Sequence, residues 1–172
     1  MDTVYILQVI TICITALTVV INVLVTSITN RQKNYNEIIT ESRLEFMQNN
    51  RNNAANFTAE AKNIILKLNC GKNEIDVKDL YTAFERICLA LKPYNAIDKE
   101  ITDAGRHVVN LIERSVIKNR PDGELTAAVN EFEKLFNIYD DADWKFIKQQ
   151  FNTTKKKSED FDKICNDIKA KY

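Results

Sequence analysis

Residues 4–28 carry no charged side chain, and that run constrains the chain more than any other feature. As a helix rising roughly 1.5 Å per residue it would measure about 37 Å. That is enough to cross a hydrocarbon core about 30 Å thick with some tilt. A cleaved secretory signal has a basic start, a shorter apolar run and a small-residue cleavage site. Here the start is Met1-Asp2-Thr3, the run is longer, and no Ala-x-Ala follows it. The chain is therefore read as a transmembrane anchor over residues 1–30 and a helical domain over residues 31–172. Asp2 precedes the span, and Arg31 and Lys33 follow it. Basic flanks stay cytoplasmic, so the N-terminus is expected outside and the domain in the cytoplasm.

The polar residues of the span are ordered. Gln8, Thr11, Thr15, Thr18 and Asn22 follow at steps of 3, 4, 3 and 4, which places them on one helical face. Thr26 and Thr29 extend nearly the same line. One reading is an association face for another membrane helix or a second copy, with Gln8 and Asn22 as its strongest contacts. The other is that the threonines bond their own helix carbonyls. No ionisable residue lies in the stripe, which argues against an ion or proton path.

Three Gly and two Pro in 172 residues are too few for the turns of an all-β or βαβ fold, and point to long helices. Residues 29–68 lack both. Their apolar positions, among them Ile38, Ile39, Phe46, Met47, Ala54, Phe57, Ala61, Ile64 and Leu68, recur at spacings near 3 and 4. The asparagine-rich stretch at 48–53 is the expected place for a bend or a polar contact face. Gly71 suits a left-handed cap. A second helix is expected from Asp76 to Leu91, stopped by Pro93, and a third from Asp98 through Val116. Asn119-Arg120-Pro121-Asp122-Gly123 reads as a turn. A fourth helix should carry Leu125 to Tyr139, break at Asp140-Asp141-Ala142-Asp143, and give way to a last helix or helix pair holding Trp144, Phe161 and Ile164. The fold class is all-α: an anchor, a long amphipathic helix and an antiparallel bundle.

Signs of chemistry are sparse. The 24 basic residues balance the 24 acidic ones, which argues against broad nucleic-acid binding. There is no Gly-rich phosphate loop. The single histidine, His107, excludes a paired-His zinc motif and is expected as a satisfied bundle residue. Cys70, Cys88 and Cys165 lack C-x-x-C spacing and are expected to be small buried residues, with Cys13 in the anchor. Asp140, Asp141 and Asp143 lack the glycine and distal glutamate of a calcium loop. Lys155-Lys156-Lys157 is followed by acids and reads as a solvated face. No catalytic residue, metal ligand, cofactor or small-molecule substrate is expected, and the chain is not read as an enzyme. Arg43, Phe46 and Arg51 are the candidate juxtamembrane contacts. The arginines either snorkel over the apolar stripe or pair with acids of another helix.

Four short motifs carry a resemblance. They are Arg43-Leu44-Glu45-Phe46 through Arg51, Ile87-Cys88-Leu89-Ala90-Leu91-Lys92-Pro93, Asp98-Lys99-Glu100-Ile101 and Trp144-Lys145-Phe146-Ile147. With them the chain resembles small bacterial and phage-encoded membrane proteins that join an N-terminal transmembrane helix to a cytoplasmic helical domain. Phe46 stands where Trp is commoner and Lys92 where Asn is. The resemblance implies phage or prophage biology, as in host defence or superinfection exclusion, and no activity. The function expected is a membrane-anchored bundle that binds a protein partner. The alternative is an effector that self-associates through its transmembrane helix and perturbs the bilayer.

Overall fold

The computed structural model describes residues 3–72, 74–92, 95–152 and 160–172. Five helices follow in order: α1 (Thr3–Asn69), α2 (Lys78–Ala90), α3 (Ala96–Lys118), α4 (Leu125–Asn152) and α5 (Phe161–Lys169). No strand occurs among the described residues, so the fold is all-α. The chain divides into two compact units, Met1–Arg43 and Leu44–Tyr172, with the boundary inside α1.

The first unit is the leading part of α1. Its stretch Ile10–Arg31 is long and apolar enough to cross a membrane, and none of it is buried against protein. Leu17, Val19, Ile21, Val23 and Leu24 are all exposed. An uncharged, mostly apolar helix uncovered by protein matches the interior of a lipid bilayer better than water.

The second unit is built on buried stripes. On α1, Met47, Asn50, Ala54, Phe57, Ala61, Ile64 and Leu68 are buried at steps of 3 and 4, one face of a helix. The asparagine-rich stretch at 48–53 does not interrupt α1. Asn50 turns inward, and Gln48 Nε2 donates to Asn52 Oδ1 at 3.2 Å along the outside. Phe57 is the hub of the core. Its ring centroid lies 5.6 Å from Phe84 of α2 and 4.7 Å from Phe132 of α4. The row of rings continues through Phe136 and Tyr139 to Phe161 of α5. Each such pair adds about 0.5–1.5 kcal/mol beyond its buried area. Gly105 of α3 lets α2 come close: a Cβ there would stand 2.5 Å from Phe84 Cε2.

The helix ends have identifiable causes. At the end of α1, Gly71 is left-handed with φ +67°, and Lys72 N–H donates to Lys67 O at 3.1 Å, which together satisfy the last carbonyls. Asn119 does the same for α3, with φ 48° and Arg120 N–H donating to Ser115 O at 3.1 Å. The N-cap of α2 is Val77, with no side-chain cap, rather than the expected Asp76; Asp76, one residue earlier, accepts from Lys78 N–H through Oδ1 at 2.9 Å.

Several expectations are corrected. The acidic stretch 140–143 does not break α4, because Ala142 is fully buried while Asp141 is exposed and Asp140 only partly covered. Burial of Ala142 within the helix outweighs the poor helix preference of Asp. Helix α3 starts at Ala96, and Asp98 is buried rather than leading the helix in solvent. His107 lies on bundle helix α3, exposed. Cys70 is exposed where a buried thiol was expected, Cys88 is half-buried and Cys165 is buried. Pro93, Lys155, Lys156 and Lys157 lie outside the described residues.

Candidate functional site

In the second unit, α1 and α4 leave a groove between them of about 630 Å³. Small side chains make its α1 wall: Ala54, Ala55, Thr58 and Ala59. They recur at helical spacing on one face, so the backbone of α1 is lightly covered along about one and a half turns. The α4 wall is Phe132, Phe136 and Asn137. An ion pair crosses the groove near each end. Arg51 Nε donates to Asp140 Oδ1 at 2.6 Å, and Lys62 Nζ donates to Glu133 Oε1 at 2.7 Å. Both cations come from α1 and both anions from α4. The hydrogen bond to Asp140 raises the Arg51 guanidinium above its already high value, with partial desolvation opposing. Both pairs are partly exposed, so each contributes about 0.2–1 kcal/mol. They place two charges of each sign on the rim.

A second polar cluster lies deeper, where α5 packs on α3 and α4. Asp98 Oδ2 accepts from Lys92 N–H at 2.8 Å and from Asn95 Nδ2 at 3.1 Å, tying the α2–α3 connection to the start of α3. Among the described residues its buried Oδ1 has no hydrogen-bond partner, and burial raises the carboxyl above its ordinary range. Burial also pushes the Tyr139 phenol up, with Asp143 and Asp98 adding to the rise and the Asn50 amide opposing it. Although it lies near enough to be felt there, Asn50 Nδ2 has no partner at hydrogen-bond distance. The Cys165 thiol is driven by burial to about 12, so it is not a ready nucleophile. At the far side of the bundle Tyr81 donates its hydroxyl to Glu113, which lifts the phenol to about 12. Among the described residues no three metal-ligating side chains converge.

The candidate residues of the sequence fall in different places. Arg51 joins the groove through Asp140. Arg43 is half-buried and Phe46 is 42% exposed, and neither lines the groove. Gln8, Thr11, Thr15, Thr18 and Asn22 are all exposed on the first unit. The sequence offers Asp140 only as part of an incomplete calcium loop and does not single out Glu133 or the floor residue Thr58. The recurrence of small residues at 54, 55 and 59 on a helix otherwise lined with bulky ones was the available signal. Compared with known proteins, the chain matches no family model, no curated protein and no solved structure. The likeness to phage-encoded membrane proteins rests on the four short motifs alone.

Proposed function

We propose that this chain is a single-pass, membrane-anchored binding protein whose helical domain receives a helix of a partner protein in the α1–α4 groove. The observation that carries the reading is the groove itself: an open floor of alanines between two ion pairs, on a chain that also holds one apolar helix of membrane-spanning length. A small-residue floor admits the bulky side chains of an amphipathic helix, and the four rim charges can re-pair with charges on it. The groove gathers no nucleophile with a base, which favours binding over a reaction. With Arg31 and Lys33 beyond the span, the domain belongs on the cytoplasmic side. The finer role, defence or exclusion in a phage-carrying cell, is supported by the motif resemblance.

The test is capture of partners from detergent-solubilised membranes with the intact chain and its Ala55→Trp and Ala59→Trp variants. Both positions are exposed, so the bundle should keep its thermal stability while the groove is filled. Loss of a specific partner in both variants supports the reading. Unchanged capture by both would overturn the groove as the binding surface.

A further inference from the structure

Hydrogen bonding separates the polar residues of the anchor. The hydroxyls of Thr15 and Thr18 donate to the carbonyl oxygens of Thr11 and Ile14 at 2.8 Å, so neither needs an outside partner in hydrocarbon. Thr11 is engaged as well. Gln8 lies four residues into the uncharged run 4–28, close to its outer end, where headgroups and water can serve it. Asn22 stands six residues before the end of that run and nine before Arg31, deeper in the hydrocarbon than Gln8. It is exposed on the helix. Its carboxamide has two N–H donors and a carbonyl acceptor, and no hydrogen bond engages them among the described residues. Inside a bilayer it is cut off from water as fully as a core residue, where an unpaired amide is strongly disfavoured.

We infer that Asn22 pairs with Asn22 of a second copy of this chain, so that the anchor forms a two-fold dimer. A carboxamide is both donor and acceptor, so two identical ones facing each other satisfy one another reciprocally. Membrane insertion gives every copy the same direction, and a two-fold axis along the membrane normal brings same-numbered residues together. A single interhelical Asn is a known device for fixing register and partner number in packed helices. The local surface admits a second helix. Asn22, Val23, Thr26 and Ser27 begin a shallow depression on the helix that runs on past Arg31 to Asn34, and small side chains let backbones approach. Thr26, one turn on, shares this face, whereas Cys13, nine residues back, lies half a turn round the helix.

The test is oxidative crosslinking of the full-length chain in membranes, with carbonate extraction confirming that each variant stays embedded. One background carries Cys13→Ser, Cys70→Ser and Thr26→Cys. The other carries Cys70→Ser alone and reports on native Cys13. The T26C chain should form disulfide dimers at least about fivefold more efficiently than the Cys13 reporter. Adding Asn22→Leu should lower the T26C yield at least about fivefold, and Asn22→Gln, which keeps the amide, should preserve most of it. Equal yields from the two reporters, an unaltered yield in N22L, or a T26C adduct only to a different protein would each overturn the dimer. The inference rests on the anchor but not on the groove: N22L should leave partner capture by the bundle intact, so the two readings fail separately.

Discussion

The two units of this chain put the same helical period to opposite uses. In the first, Leu17, Val19 and Val23 face outward, while Thr15, Thr18 and Thr29 fold their hydroxyls back onto the helix's own carbonyls. In the second, Phe57, Ala61 and Ile64 face inward, and Arg51 and Lys62 reach outward to carboxylates of another helix. The difference teaches that helical spacing alone assigns a face but not its direction. The surrounding medium does that. Where the chain offers no protein cover, apolar groups turn out and threonine hydroxyls satisfy themselves. Where it does, the order reverses.

That contrast can be broken most forcefully at the core hub. Phe57→Ala should cost the second unit about 3–5 kcal/mol, read by calorimetry or near-ultraviolet circular dichroism of the intact chain in detergent. Val19→Ala should change the same transition by less than about 0.5 kcal/mol. Comparable losses would mean that the units do not divide as described. Gly105→Ala tests the close approach of α2 and α3. The added Cβ meets the Phe84 ring at 2.5 Å, and the forced shift should cost about 1–3 kcal/mol.

Asp98 sharpens the comparison through pH. Burial raises its carboxyl in the folded chain. Between the ordinary carboxyl value and the raised one, the folded chain keeps a proton that the unfolded chain has lost. Stability from this group is therefore fully present below the ordinary value and falls away as pH rises through the folded one. In Asp98→Asn that slope should vanish, so the gap between the two unfolding free energies should change across the acidic window and be flat above it. A gap independent of pH throughout would show that the Asp98 carboxyl titrates alike folded and unfolded. The smallest effect belongs to the rim. Arg51→Gln should cost about 0.2–1 kcal/mol, and that loss should shrink in about 1 M salt.

Much of the bundle was legible from spacing. The stripes of α2, α3 and the start of α4 lie where Leu80, Ile101, Val108 and Phe132 require, because each apolar face packs into the one shared core. The run from Asp140 to Asp143 was misread because local preference says turn, and only the burial of Ala142 says otherwise. Asn119 was legible as part of a turn, but not as its left-handed residue, since Gly123 offered a stronger signal. Arg51 was a candidate contact on charge and position. Its pairing with Asp140, 89 residues away, depends on how two helices meet, and no local pattern records that. The same holds for Gly105, whose meaning lies in a ring on another helix.

The four free cysteines occupy four different settings, which turns the molecule into its own opening gauge. A water-soluble alkylating reagent should label exposed Cys70 promptly. Buried Cys165, on the inner face of α5 with its thiol held at about 12, should stay unlabelled until that short helix lifts. The lag between the two reactions would time the undocking of α5 without any probe being attached to it.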